Sequence, residues 1–106
     1  MDQAKVIELL RAHRRRFEAL GVKRMFLFGS VARRSATTES DVDVMVDLDE
    51  GPTGRKPLFS AFDVGGIRFE IADILNRRID LVVRADALKP TSKLRGAAER
   101  QLVDVF

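Results

Sequence analysis

Two aspartates, Asp41 and Asp43, stand one residue apart in a valine-rich stretch, DVDVMVDL, whose alternation is typical of a β-strand. Residues two apart on a strand project to the same side, with Cα atoms about 6.5 to 7 Å apart, so the two carboxylates can converge on one ion. A third carboxylate, Asp80, lies in the strand-like segment RIDLVV and joins them if the two strands are neighbours. Three carboxylates without His or Cys suit a hard divalent cation such as Mg²⁺ or Mn²⁺.

A turn that can hold phosphate precedes these aspartates. Gly29 and Ser30 follow the apolar run MFLF. Glycine lets the backbone approach a ligand closely, and the amides at the start of a following helix point at anions. The Ser30 hydroxyl adds a donor, and Arg33, one helical turn later, can contact a phosphate. Two divalent cations beside a phosphate-binding turn would stabilise the attacking and leaving oxygens of an in-line displacement at phosphorus.

Each feature has a plainer interpretation when it is taken alone. Gly29-Ser30 is most often an ordinary strand-to-helix turn, an Asp-x-Asp sequence is more often a strand edge or an Asx turn, and Asp80 beside two arginines can simply face solvent. The joint spacing, with ten residues between Ser30 and Asp41, is the informative part and favours the combined site.

Helices that would position these residues follow from hydrophobic periodicity. Apolar residues at helical spacing predict a helix over residues 2–20, ended by Gly21, and another over about 64–76, ended by Asn76 in a left-handed conformation. The segment KPTSKLRGAAERQL predicts a last helix near the C-terminus.

Strands alternate with these helices along the chain. Apolar runs predict three strands and a short edge strand, over residues 22–28, 41–48, 78–83 and the segment VDVF. The order predicts an α/β fold with a small mixed β-sheet and helices packed on one face. That face would carry Val42, Val44 and Val46, which leaves the opposite face, with Asp41 and Asp43, open.

Composition is typical of a one-domain globular protein. The 106 residues predict one domain, residues 1–106, and a 45% hydrophobic content is sufficient for a core. The absence of cysteine excludes a disulfide framework and a thiolate metal site, and no apolar run has membrane-spanning length. We therefore expect a soluble, cytoplasmic protein.

The charge pattern leaves the type of partner open. A net charge of +3 makes polyanions plausible partners, but seven Phe with no Tyr or Trp disfavour a stacking platform for single-stranded nucleic acid. The run RAHRRRF is interpreted as a solvated helix face, with a docking surface for an acidic partner or RNA as the alternative. The single histidine, His13, is expected to pack on the inner side of the first helix rather than to act in catalysis.

The pattern G-S-x10-D-x-D at residues 29–43, within FLFGSVARRSATTESDVDVMV, resembles the signature of the DNA polymerase beta-like nucleotidyltransferase superfamily. The small size and the segment RRIDLVV resemble its minimal nucleotidyltransferases (MNT). In prokaryotes these are commonly the antitoxins of HEPN–MNT toxin–antitoxin pairs. The resemblance extends best over residues 22–83.

The resemblance implies roles for particular residues. Gly29 and Ser30 would hold the triphosphate of ATP, Asp41 and Asp43 would bind Mg²⁺, with two ions in the site, and Asp80 would be the third carboxylate. Asp80 would also accept the proton of the attacking hydroxyl. Family members of this size transfer AMP to a tyrosine of a HEPN-type toxin and silence its RNase activity, and the two proteins often form hetero-oligomers.

Two alternatives stay open beside the antitoxin enzyme. One is a binding module that neutralises the toxin by docking, with dispensable catalysis. The other is a free-standing nucleotidyltransferase for a small hydroxyl-bearing metabolite. The chain departs from the family pattern at Arg34, where many relatives have glycine, and a basic residue there can alter nucleotide positioning.

Overall fold

The computed structural model describes residues 3–29, 41–48, 61–88, 90–93, 96 and 102–106 of the chain. The elements in these ranges are, in chain order, α1 (Gln3–Ala12), α2 (Arg14–Ala19), β1 (Val22–Phe28), β2 (Val42–Leu48), α3 (Ala61–Leu75), β3 (Ile79–Val83), α4 (Arg84–Ala87) and β4 (Val103–Asp104). The strands form one sheet in the order β3-β2-β1-β4. Strand β1 is antiparallel to β2 and β4, whereas β2 and β3 are parallel. The predicted α/β fold with a small mixed sheet is confirmed.

The main core lies between the helices and one face of the sheet. Val42, Val44 and Val46 point to this face and are buried, as the alternation in β2 predicted. The helices contribute the buried side chains of Val6, Leu10, Phe17, Ile67, Ile71 and Leu75. Burying a side chain of this size contributes about 1.5 to 3 kcal/mol, and a slip of one residue would expose the whole valine set. This core therefore holds β2 in register and keeps Asp43 on the opposite face.

The opposite face of the sheet carries a second, smaller hydrophobic cluster. Its buried members are Phe26, Phe28, Met45 and Ala87. The prediction that this face is open is therefore wrong where α4 packs on it, since Met45 has no exposed surface. The face is more accessible toward the start of β2 and β3, where Asp43 is half-buried and Asp80 is exposed.

The predicted helix over residues 2–20 is divided at His13. This residue has φ −108° and ψ 17°, outside helical geometry, and separates α1 from α2. Its side chain is exposed, with Nδ1 2.9 Å from the carbonyl oxygen of Leu9, so the expectation that it packs inward is wrong. The break accompanies the packing of Phe17, whose ring stacks on Phe106 with centroids 6.3 Å apart.

The other predicted boundaries are close to those observed. Helix α3 begins before residue 64 and ends at Leu75, and Asn76 has the predicted left-handed conformation with φ 51°. Gly21, which follows α2, has φ 93°. The edge strand is present as β4, whereas α4 was not predicted and the expected C-terminal helix lies mostly outside the described residues. Among the residues that the structure describes, no helix has the length and apolar character needed to cross a membrane.

An ion pair between α2 and α3 predicts a pH-dependent contribution to stability. Arg16 donates two hydrogen bonds to Glu70, from Nε to Oε2 at 2.8 Å and from Nη2 to Oε1 at 2.7 Å. These hydrogen bonds, helped by the nearby guanidinium charge, hold the pKa of the Glu70 carboxyl below its ordinary value of 4.5. A carboxyl whose pKa is lower in the folded state stabilises the fold above its unfolded pKa, and this contribution is lost as the pH falls through the folded value.

We therefore expect Glu70→Gln to lower the Tm modestly at pH 7, because exposed pairs are weak, and to leave it unchanged at acidic pH. The matched control is Glu8→Gln, because Glu8 is an exposed glutamate of α1 that forms no ion pair within the described ranges. Thermal denaturation followed by circular dichroism across the acidic range measures both. A Tm difference between wild type and Glu70→Gln that persists well below pH 4.5 would contradict the assignment.

Candidate active site

Two of the predicted carboxylates lie directly beside each other in the sheet. Asp43 on β2 is paired with Asp80 on β3 in the parallel register. Paired residues of adjacent strands project to the same face, and neighbouring strands are about 4.8 Å apart. Asp43 and Asp80 therefore share the face opposite the main core, as the sequence predicted for neighbouring strands. Two carboxylates at this spacing repel each other unless a cation or hydrogen-bond donors offset their charge.

The glycine of the predicted phosphate turn lies against Asp43. Gly29 directly follows β1, whose last residue, Phe28, is paired with Asp43 across the antiparallel ladder. Gly29 has φ 68°, and a Cβ at this position would lie 2.0 Å from Oδ2 and 2.9 Å from Cγ of Asp43. Only a residue without a Cβ allows this approach. The spacing between the glycine and the aspartates in the sequence thus corresponds to a direct contact in the fold.

Asp41 lies at the same end of the sheet, but its carboxylate is directed to an arginine. The residue directly precedes β2 and is exposed, and its Oδ1 lies 3.6 Å from Nε of Arg78. The backbone carbonyl of Arg78 also accepts a hydrogen bond from the amide of Val42, at 3.0 Å. This hydrogen bond joins the start of β3 to the start of β2 beside Asp41.

In these side-chain positions, no three acidic or metal-ligating side chains of the described residues converge on a point that could hold a metal ion. The backbone brings Asp41, Asp43 and Asp80 to one end of the sheet, but Asp41 pairs with Arg78. The donor set itself fits a hard cation, since it offers only carboxylate oxygens. Binding of a cation by all three carboxylates would require Asp41 to leave Arg78 and approach the other two, so the three-carboxylate cation site stays a prediction.

The remaining predicted phosphate contacts, Ser30 and Arg33, lie outside the described residues, as does Arg34. Of the three residues assigned to the nucleotide, the structure therefore places Gly29 alone. Its contact with Asp43 nevertheless locates the start of the predicted phosphate turn beside the carboxylates.

An open groove beside Asp41 was not predicted from the sequence. It lies between the C-terminal end of α3 and the start of β3 and has a volume of about 570 Å³. Its lining consists of Asp41, Arg68, Ala72, Asn76, Arg77, Arg78 and Ile79, and we call it the arginine groove. Arg68 and Ala72 lie four residues apart on one face of α3, and Asn76 directly follows the helix, so this spacing is the signal from which three of the seven lining residues could have been found.

The sequence is similar to known proteins over most of its length. Residues 6–103 match the sequence profile of the family described as the nucleotidyltransferase domain. Protein adenylyltransferase MntA of Thermococcus cleftensis is 32% identical over 78 residues, which span 73% of this chain and 72% of MntA.

Solved structures have the same fold. One that is assigned as a minimal nucleotidyltransferase aligns with a TM-score of 0.66 at 29% identity, covering 97% of this chain and 95% of its own. A toxin–antitoxin structure with AMP-PNP contains a chain with a TM-score of 0.63 at 19% identity, and the alignment covers 100% of this chain and 73% of that one. The second similarity, at its lower identity, concerns the fold alone.

Proposed function

Because the chain belongs to the nucleotidyltransferase domain family and is an enzyme of that class, we propose that it transfers AMP from ATP to a hydroxyl group of a partner protein. The observation that carries this proposal is the meeting of Gly29, Asp43 and Asp80 at one end of the sheet. The relative MntA is named as a protein adenylyltransferase, which supports a protein as the acceptor here.

The acidic residues have distinct roles in the proposed reaction. Asp41, Asp43 and Asp80 would hold two Mg²⁺ ions, which when bound would neutralise charge on the attacking and leaving oxygens. Asp41 and Asp80 are both exposed, but Asp41 is paired with Arg78, so Asp80 is the carboxylate that an incoming acceptor can reach most readily. Asp80 therefore accepts the proton of the acceptor hydroxyl.

The bond changes follow from in-line displacement at phosphorus. The acceptor oxygen attacks the α-phosphorus of ATP, a new O–P bond forms, and the bond to the bridging oxygen of the β-phosphate breaks. Pyrophosphate leaves with that oxygen. Gly29, Ser30 and Arg33 hold the β- and γ-phosphates on the side from which pyrophosphate departs, through backbone amides, a hydroxyl and a guanidinium.

The proposed acceptor is a tyrosine of a cognate HEPN-type RNase toxin, and the chain is its antitoxin. The support is the sequence resemblance to minimal nucleotidyltransferases, together with a fold shared with a chain of a toxin–antitoxin structure that holds AMP-PNP. Modification of the toxin would silence its RNase activity, and we expect the two proteins to form a hetero-oligomer in the cytoplasm.

The test is incubation of the full chain with ATP labelled at the α-phosphate, Mg²⁺ and a cognate HEPN-type toxin. We expect the label to appear on a tyrosine of the toxin and to disappear when the divalent cation is chelated. Parallel reactions with ATP labelled at the γ-phosphate should leave the toxin unlabelled, because pyrophosphate leaves. Failure to label the toxin with Mg²⁺ or Mn²⁺ would overturn the proposal.

Docking without catalysis is the second candidate function. The pairing of Asp41 with Arg78, which keeps the third carboxylate from the other two, is the observation that favours it. The double variant Asp41→Asn, Asp43→Asn distinguishes the two functions in cells that express the toxin. Loss of protection supports the enzyme, whereas full protection by the variant supports docking.

A further inference from the structure

The arginine groove shares Asp41 with the proposed site of transfer, and the proposed chemistry of ATP uses none of its other lining residues. Three of its lining residues are the arginines at positions 68, 77 and 78, against the single carboxylate of Asp41. We propose that this groove receives an acidic segment of the acceptor protein next to the hydroxyl that is modified. The proposal rests on the proposed function and names the feature by which the acceptor is recognised.

The position of the groove in the sheet favours the acceptor over the triphosphate. Strand β2 stands between β1, which leads into Gly29, and β3, which follows the groove residues. Gly29 contacts Asp43 from the β1 side, whereas Ile79 lines the groove at the β3 edge. In an in-line displacement the attacking and leaving oxygens lie on opposite sides of phosphorus. Ile79 belongs to the main core, so the groove opens on the helix-covered face of the sheet and meets the proposed site, on the other face, at Asp41. With pyrophosphate at Gly29, an acceptor that enters at the β3 edge passes Asp41 and can extend into the groove.

Charge identifies the part of the acceptor that the groove fits. Guanidinium groups bind carboxylates through paired hydrogen bonds, and Arg68 and Arg78 are exposed at the groove. The Asp41 carboxylate that balances part of this charge belongs to the proposed cation site. When it turns toward a cation, the net positive charge presented by the groove rises. An acidic segment therefore binds most tightly when the proposed cation site is occupied.

The neighbouring surface of α3 favours a protein over a nucleic acid. Phe69, next to Arg68 in the sequence, is 70% exposed, the largest exposure of a large hydrophobic side chain among the described residues. An exposed aromatic residue beside arginines is typical of a protein-binding surface.

The experiment measures peptide binding, which does not depend on transfer. The probe is a short fluorescent peptide with one tyrosine flanked by Asp and Glu, compared with the same peptide carrying Asn and Gln instead. Fluorescence anisotropy with the full chain, AMP-PNP and Mg²⁺ gives both Kd values. Each exposed ion pair contributes a factor of about 1.5 to 5, so the exposed Arg68 and Arg78 should make the acidic peptide bind up to roughly tenfold more tightly.

The test variant is Arg68→Gln, Arg77→Gln, Arg78→Gln, and the matched control removes three exposed charges elsewhere: Arg14→Gln, Arg15→Gln, Lys23→Gln. Both variants lower the formal net charge from +3 to zero. We expect the groove variant to lose the roughly tenfold preference for the acidic peptide and the control to keep most of it. Circular dichroism establishes that both variants are folded.

Three results would overturn the proposal. They are an equal Kd of the wild type for both peptides, an equal loss of preference in both variants, and weaker AMP-PNP binding in the groove variant without a change in peptide preference. The last result would assign the arginines to the triphosphate. Because binding is measured without transfer, a failed toxin-labelling reaction would count against the proposed function and leave the binding result separate.

Discussion

Replacing Asp43 by asparagine is expected to lower the rate of AMP transfer about a thousandfold or more, because this side chain stands between the two other parts of the proposed site. It is paired with Asp80 across the parallel ladder and touches Gly29 on the other side. Asparagine has nearly the same size but no charge, so it fits the position and offers a much poorer ligand to a hard cation. Transfer of label from ATP to the toxin measures the effect.

The same substitution should leave the fold intact. Asparagine keeps the size of the side chain and its ability to form hydrogen bonds, so circular dichroism of Asp43→Asn should show the wild-type fold, and the loss of transfer can be assigned to the lost charge. The control is Asp73→Asn, which removes a carboxylate from the exposed face of α3 and should leave both transfer and Tm unchanged. An Asp43→Asn variant that transfers AMP at the wild-type rate would remove the basis of the proposed mechanism.

The strands of this protein were predictable because their apolar pattern is decided locally. The alternation of Val42, Val44 and Val46 indicates a strand with one buried face, and the structure buries all three. That pattern also determines the side of the sheet on which Asp43 lies. The sequence placed Asp80 beside Asp43 only if β2 and β3 are adjacent strands. The two strands are paired in the structure, so Asp80 lies beside Asp43.

The helix boundaries were less predictable because they depend on contacts distant in sequence. Helical periodicity continues across His13, so the pattern alone predicts one helix there. The break instead accompanies the stacking of Phe17 on Phe106, two rings that lie near opposite ends of the chain. The coverage of Met45 by Ala87 is a similar case. It depends on α4, a helix of four residues that is too short to show a hydrophobic period in the sequence.

The parts of the site that depend on strand spacing were predictable, whereas the parts that depend on exposed side chains with more than one possible partner were not. The positions of Gly29 and Asp43 follow from the antiparallel register of β1 and β2, so their proximity could be inferred. The partner of Asp41 could not, because an exposed carboxylate can turn either to a cation or to Arg78. The arginine groove was missed for a related reason, since Arg68 and Arg78 come together only when α3 packs beside β3.

Replacing Gly29 by alanine is expected to abolish most of the transfer activity and to destabilise the fold. The left-handed conformation at φ 68° costs a residue with a Cβ about 1 to 2 kcal/mol. The new Cβ would lie 2.0 Å from Oδ2 of Asp43, so the carboxylate must move as well. A displacement of about 1 Å at a reacting centre can lower the reaction rate about a hundredfold. Label transfer and thermal denaturation measure the two effects.

Two other glycines of the chain supply a control, because replacing them by alanine is expected to raise the thermal stability rather than to lower it. Gly65 and Gly66 lie in α3, and a Cβ at either position meets no atom within 4 Å. Glycine in a helix interior is less favourable than alanine by about 0.5 to 1 kcal/mol, so Gly65→Ala and Gly66→Ala should raise the Tm and leave transfer unchanged. If Gly29→Ala behaved like these two variants, the backbone at Gly29 could not be pressed against Asp43, and the carboxylates would lose the turn that is proposed to present the triphosphate to them.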